Sequence, residues 1–160
     1  MIDQTLNRRL TTFTVTVYWG CILLGLGIPW FATITVDMLK HDQSLVQATH
    51  QLQLHLFAPG YNLFLVAILN AVPFVLFAVF SLLHMGLASP EDRRLCGRRA
   101  TGVLVVMIGL IGLSAWTHVM TLWHPDAQGA LAYLFLPVLL FGLIPIGYAI
   151  GRGAGTWIFR

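Results

Sequence analysis

The sequence predicts an all-α integral membrane protein: a four-transmembrane-helix bundle with both termini cytoplasmic and a third helix extended into the cytoplasm. Hydrophobic residues make up 58% of the 160 residues and charged residues only 9%, whereas roughly a quarter of the residues of a soluble domain are charged. Four long apolar segments follow one another, and nearly all basic residues fall on one side of them. We therefore expect a single four-span membrane domain over residues 1–160.

The first predicted span covers residues 12–36, after a short polar N-terminus that carries Arg8 and Arg9. A secretory signal peptide has an apolar core of only about 7–15 residues, followed by a small-residue cleavage site. This run is longer and no such site follows it, so we expect it to be retained as a transmembrane helix. Pro29 is expected to bend the outer half of that helix.

Residues 37–60 are the only long polar stretch, and they separate the first two spans. Four of these residues recur at helical spacing, namely Leu45, Thr49, Leu52 and Leu56. That spacing favours a short amphipathic helix at the membrane surface. The alternation of polar and apolar residues over 51–56 fits a strand equally well, so both alternatives stay open.

The second predicted span covers residues 61–87, the most apolar segment of the chain. Its 27 residues include no Asp, Glu, Lys or Arg, and a helix of this length crosses a hydrocarbon core of about 30 Å at about 1.5 Å per residue. Its apolar residues surround the helix axis instead of forming one stripe, which is typical of a span.

The third span is predicted over residues 100–123, as the last part of a helix that starts at about Pro90. Ser89 at the N-cap, Pro90 at the first helical position and an acidic third residue resemble a helix start. The early turns are expected to stand in water, and they carry Arg93, Arg94, Arg98 and Arg99. The fourth span is predicted over residues 128–150, followed by a short tail.

The basic residues predict the orientation. Of nine basic residues, the outer segments hold only Lys40. The others lie in the predicted cytoplasmic segments, namely Arg8, Arg9, Arg93, Arg94, Arg98, Arg99, Arg152 and Arg160. Because cytoplasmic loops carry an excess of Lys and Arg, we expect a multi-pass protein of the inner (cytoplasmic) membrane with both termini inside.

Two histidines, His84 and His118, fall within spans. At the helical rise of about 1.5 Å per residue, their rings lie near opposite membrane faces and cannot share one iron. By depth, His118 has His55 and His124 as candidate partners and His84 has Met107. Ionisable groups at membrane depth are functional candidates, so a haem or quinone contact is one interpretation. The other is a ring satisfied by a neighbouring carbonyl or hydroxyl, with no cofactor and no metal.

Asn70 is the polar side chain nearest the membrane middle, and Pro73 removes the N–H that would bond the Leu69 carbonyl. Together they predict either a small polar notch that binds water, an ion or a polar headgroup, or a hydrogen-bonded contact between helices with a fixed kink.

Gly147, Gly151 and Gly155, the glycine seam, recur at every fourth residue, a spacing that lets two helices approach closely. The seam is expected to pack either against a helix of the same chain or against a second copy. Arg152 lies within the seam and favours packing within the chain. The four arginines of the third helix bind anionic lipid headgroups or anchor the topology. With no aromatic residue among them, they are not expected to bind nucleic acid.

The chain has no Ser-His-acid set and no Gly-rich phosphate loop, and all six acidic residues lie outside the spans. A non-enzymatic function is therefore expected. In topology alone, with both termini inside, an outer loop of about two dozen residues and a basic inner loop, the chain resembles the four-span immunity proteins of pore-forming bacteriocins. That resemblance implies a protective protein that contacts a membrane-active toxin.

Two alternative functions stay open. One is an anchor subunit of an electron-transfer complex that contacts haem, quinone or pigment through His118 or His84. The other is a pore-forming effector that assembles into homo-oligomers through the glycine seam. In all three interpretations the partners are the lipid bilayer and another membrane protein or a second copy of the chain.

Overall fold

The computed structural model describes residues 2–59, 62–86, 92–125 and 129–159. It is 91% helical, with no strand in those ranges. The helices are α1 (Ile2–Lys40), α2 (Leu45–His55), α3 (Leu63–Gly86), α4 (Arg93–Trp123) and α5 (Gly129–Ile158). Four of them, α1, α3, α4 and α5, are long and apolar enough to cross a membrane. The all-α class and the four candidate spans are therefore confirmed.

Two helices, α1 and α5, are longer than the spans predicted from hydropathy. α1 runs back through the polar N-terminus to Ile2, and α5 continues eight residues past the predicted end of the fourth span, to Ile158. At about 1.5 Å per residue, the 30 residues of α5 measure about 45 Å. A hydrocarbon core is about 30 Å thick, so the ends of α5 reach beyond it.

Two helix starts depend on side-chain caps. Ser44 and Gln47 form a capping box at the start of α2, in which each side chain bonds the other residue's backbone N–H. The segment is therefore helical and not extended. α4 is described from Arg93, and the Asp92 carboxylate caps it by accepting a 2.9 Å hydrogen bond from the backbone N–H of Leu95.

Several predicted boundary residues lie outside the described residues: Ser89 and Pro90 at the expected start of the third helix, residues 61 and 87 at the ends of the second span, residue 128 at the start of the fourth, and Arg160.

Contacts between helices show their relative directions. Paired positions on α4 and α5 run in opposite order, namely Gly97 with Phe159, Gly109 with Leu143 and His118 with Tyr133. Two hydrogen bonds likewise show that α3 is antiparallel to α4, namely Ser114 to Asn70 and Arg99 to His84. α1 runs parallel to α4, since Gly20 lies next to Met107 and Lys40 donates to the Trp123 carbonyl.

These directions bring the start of α1, the end of α3, the start of α4 and the end of α5 to one end of the molecule. We call it the arginine end, because its helix termini carry Arg8, Arg9, Arg93, Arg94, Arg98, Arg99 and Arg152. Lys40 lies at the opposite end. Between the two ends, buried apolar side chains such as Phe74, Phe77 and Leu110 fill the space where the four long helices meet.

Candidate functional site

Asn70 joins three helices through its side chain. Its Nδ2 donates to the Gly25 carbonyl of α1 at 2.7 Å, and its Oδ1 accepts from Ser114 Oγ of α4 at 2.8 Å. Asn70 is 2% exposed and Ser114 is fully buried. A buried amide in an apolar interior needs partners, because an unmade hydrogen bond leaves the desolvation cost uncompensated. Here, the amide finds them on two neighbouring helices.

The sequence creates the acceptor for Asn70 locally. In an α-helix the carbonyl of residue 25 accepts from the N–H of residue 29, but residue 29 is Pro29, which has no N–H. The Gly25 carbonyl is thus left for an outside donor. Gly25 also permits the approach of α3, since a Cβ there would lie 2.8 Å from Phe74 Cβ and 3.1 Å from Ala71 Cα.

His118 extends this set of polar groups along α4. Its Nδ1 lies 2.8 Å from the Ser114 carbonyl, its ring packs 5.2 Å from the Tyr133 ring, and it is 1% exposed. Because a carbonyl only accepts, Nδ1 carries the proton and Nε2 presents a lone pair. Nε2 is buried and has no hydrogen-bond partner among the described residues. We call Gly25, Asn70, Ser114 and His118 the polar layer.

At the arginine end, α3, α4 and α5 contribute a second polar set. Tyr148 Oη is hydrogen-bonded to His84 Nε2, and Arg99 Nη1 donates to the His84 carbonyl at 2.8 Å. Phe80 stacks on the His84 ring with centroids 5.2 Å apart. The Arg99 and Arg152 guanidinium groups both lie close enough to His84 and Tyr148 to interact with them electrostatically. We call His84, Arg99, Tyr148 and Arg152 the boundary cluster.

The two span histidines therefore have partners other than those suggested by depth. His84 contacts Tyr148 and Phe80, and the contacts of His118 are with Ser114 and Tyr133. His84 lies with Arg99 near the arginine end, whereas His118 faces the first turns of α5. For haem or quinone binding, His118 Nε2 has a free lone pair, and His84 Nε2 is already hydrogen-bonded.

Pro73 is fully buried in α3, one turn after Asn70. The hydrogen bonds of the Asn70 amide run to α1 and α4. This is the geometry of a contact between helices, since the side chain is buried between them and does not line an open notch.

The glycine seam lies against α4 of the same chain. A Cβ on Gly151 would meet Gly102 Cα and the Thr101 carbonyl at 2.8 Å, and one on Gly155 would meet Arg98 Cα at 2.9 Å. At Gly147 the neighbour is Val106, at 3.3 Å. The seam therefore brings the backbones of α4 and α5 together, and a second copy could reach it only by displacing α4.

The four arginines of α4 divide into two pairs. Arg93 and Arg94 are exposed, whereas Arg98 and Arg99 are half-buried. The Nε atoms of Arg98 and Arg99 are enclosed without a hydrogen-bond partner among the described residues. The exposed pair suits solvent or a membrane surface, and the half-buried pair belongs to the packed end of the helices.

An open groove runs between α4 and α5 on the outside of the molecule. Its volume is about 510 Å³ and all of its lining residues are apolar or glycine. Gly109 and Gly142 contribute to its lining, and a Cβ added to Gly142 would meet no atom within 4 Å. The groove is therefore an apolar slot that faces whatever surrounds the helices.

The described residues offer no group of three or more His, Cys, Asp and Glu side chains that could hold a metal ion. Cys21 and Cys96 are both buried, and the two are not joined in a disulfide. Among the described residues, the buried side-chain atoms without a hydrogen-bond partner are Trp30 Nε1, Gln43 Oε1, Arg98 Nε, Arg99 Nε and His118 Nε2.

Sequence reasoning missed the Gly25 carbonyl, Ser114 and Tyr148. Pro29 was a usable signal for the first, because a proline frees the carbonyl four residues earlier.

Comparison of the chain with protein-family models, with curated proteins and with solved structures finds no match.

Proposed function

We propose that the chain is a non-enzymatic four-span bundle of the bacterial inner membrane, with both termini in the cytoplasm, that acts through helix contacts with another membrane protein. The α4–α5 groove carries this proposal. Transmembrane helices associate by close packing at small residues, and the groove offers an apolar slot of about 510 Å³ with glycine in its lining. A helix of a partner fits such a slot.

An open glycine in the groove, Gly142, supports the choice of this face, and Gly112 outside the groove provides a control. Glycine lowers helix stability by roughly 1 kcal/mol relative to alanine, yet at Gly142 and Gly112 no atom of the chain occupies the space of a Cβ. Packing within the chain therefore does not explain either glycine. Gly142 lines the groove and Gly112 does not. Bulky substitutions at the two positions therefore distinguish a filled groove from the general effect of a large side chain on the outer surface.

Immunity to a membrane-active toxin is the form of this function that the four-span plan favours. Such a protein blocks a toxin helix inside the bilayer, and the groove is the surface on which that helix would bind. Expression of the chain alone is then harmless, and it rescues cells that produce the toxin.

Site-specific photocrosslinking in living cells tests the proposal. A photoreactive amino acid at Val138 or Ile146, both in the groove, should yield one adduct with an integral membrane protein, whereas the same probe at Leu76, on α3 and 52% exposed, should not. Gly142→Leu should abolish the adduct and Gly112→Leu should preserve it. Adducts with lipid alone at all three positions would contradict the proposal, and an adduct of twice the chain mass would identify the partner as a second copy.

The alternative of a cofactor-contacting anchor subunit has one specific observation in its favour: the Nε2 of buried His118 has no hydrogen-bond partner among the described residues. It predicts visible absorption bands in the purified protein that disappear in His118→Ala. A spectrum without such bands, measured on protein purified in mild detergent, would leave partner binding as the supported function.

A further inference from the structure

The boundary cluster is built around the last turn of α3. α3 ends at Gly86, so the His84 carbonyl is among the last four of the helix, which have no helical donor. Arg99 replaces the missing helical donor, because its Nη1 donates to the His84 carbonyl at 2.8 Å. This bond fixes the position of the guanidinium group, while its Nε stays enclosed and without a partner among the described residues.

No carboxylate of the described residues balances the positive charge at this place. No ion pair joins Arg98, Arg99 or Arg152 to a carboxylate within the described ranges. Asp92, the nearest acid along α4, is exposed and caps the helix through Leu95 N–H. A half-buried guanidinium without a counter-charge is costly, because burial removes hydration that only an anion or hydrogen bonds can replace.

We propose that the boundary cluster binds a phosphate group, supplied in the membrane by the headgroup of an anionic phospholipid such as phosphatidylglycerol. Guanidinium groups match phosphate oxygens in geometry and form charge-assisted hydrogen bonds with them. Arg99 is held in place and Arg152 is exposed beside it, so the two can grip one phosphate from α4 and α5.

Tyr148 and His84 complete the site. When His84 Nε2–H donates to Tyr148 Oη, the tyrosine hydroxyl keeps its own proton and can donate it to a phosphate oxygen. Phosphate binding thereby selects the Nε2-protonated form of the ring. Phe80 stacks on His84 and holds the ring in this orientation.

A lipid suits this position better than a soluble anion. The cluster lies at the ends of membrane-crossing helices, beside the exposed apolar residues Trp157 and Ile158 at the end of α5. There an acyl chain can lie along apolar helix surface while its phosphate reaches the arginines. Free phosphate shares the charge chemistry but gains nothing from the apolar surface.

Native mass spectrometry of the purified protein tests the site, with phosphatidylglycerol titrated into detergent and phosphatidylcholine as the neutral control. The Arg99→Gln/Arg152→Gln variant should lower the apparent affinity for phosphatidylglycerol by about 10- to 30-fold, as expected for two arginines near anionic lipid. The matched control is Arg93→Gln/Arg94→Gln, which removes the same charge from the same end at exposed positions. Because solvent and salt screen exposed charges, this variant should change the affinity less than about two-fold.

Three outcomes decide the proposal. Equal losses in both double variants would overturn it, because binding would then follow net charge and not the cluster. Equal retention of phosphatidylcholine and phosphatidylglycerol would also overturn it. If inorganic phosphate at millimolar concentration displaces the lipid completely, the site is one for free phosphate and the lipid assignment is wrong.

Folding of the variants is checked separately. Arg152→Gln changes an exposed side chain only, so its melting temperature in lipid-free detergent should equal that of the parent. Loss of phosphatidylglycerol affinity in this single variant, by about five-fold, supports the proposal even if the double variant folds poorly.

Discussion

The polar layer joins α1, α3 and α4, and the boundary cluster joins α3, α4 and α5, but the two sets satisfy their hydrogen bonds differently. In the polar layer, Asn70 uses its carbonyl and its amino group on partners inside the protein. In the boundary cluster, two arginines contribute positive charge that no described carboxylate pairs with. The Asn70 bonds of the first set are thus made within the protein, whereas the second set carries charge that no described carboxylate balances.

This difference separates structure from binding. Neutral hydrogen bonds between membrane helices fix the helices against one another at a modest gain of about 0.6–2 kcal/mol each. The boundary-cluster arginines pair with no described carboxylate, so their charge contributes little to folding and is available to bind an external anion. We therefore expect substitutions in the polar layer to change stability and substitutions in the boundary cluster to change binding.

Asn70→Ala should produce the largest change. It removes two hydrogen bonds and leaves the Gly25 carbonyl and the Ser114 hydroxyl without their partner, so the free energy of unfolding should fall by about 1–3 kcal/mol. Unfolding in mixed micelles with increasing dodecyl sulfate, followed by circular dichroism, measures it. Ser114→Ala removes one of the two bonds and should cost about half as much.

The control for Asn70→Ala is Val72→Ala, on the same helix but 41% exposed toward the surroundings. It should leave the unfolding free energy within about 0.5 kcal/mol of the parent. If Asn70→Ala were no more destabilising than Val72→Ala, the polar layer would not be a structural element.

Tyr148→Phe should have a smaller effect on stability. It deletes the hydroxyl bonded to His84 but keeps the ring that packs against Phe80 and Gly102. Because the site is half-buried and water can replace the hydroxyl, the loss should stay below about 1 kcal/mol. A loss as large as that of Asn70→Ala would show that the boundary cluster holds the fold together and would remove the contrast between the two regions.

The sequence predicts the four candidate spans because length and composition alone decide them. It also singles out Asn70, since an amide near the middle of a charge-free segment is conspicuous. It does not give the partners of Asn70. Gly25 and Ser114 lie 45 and 44 residues away along the chain, and helices that are apolar all round carry no stripe to show which face turns inward.

Local backbone chemistry explains the other differences. The proline at position 29 marks the carbonyl of Gly25 as free, but only the packed structure shows which donor reaches it. Asp92 caps the start of α4 at Arg93, and because Asp and Ser are both favoured cap residues, the sequence alone does not choose between Asp92 and Ser89. The Tyr148–His84 contact depends on the rotation of α5 about its own axis. The glycine seam constrains that rotation only in part.

In the proposed four-span arrangement, the arginine end lies at the cytoplasmic face of the membrane and α2 lies at the opposite face. Single cysteines at Arg94, Arg152 and His50, all exposed, can be probed with a membrane-impermeant maleimide after the buried Cys21 and Cys96 are replaced by alanine. We predict labelling of positions 94 and 152 only in inverted vesicles and of position 50 only in intact spheroplasts. Labelling of positions 50 and 152 from the same side would contradict the four-span arrangement.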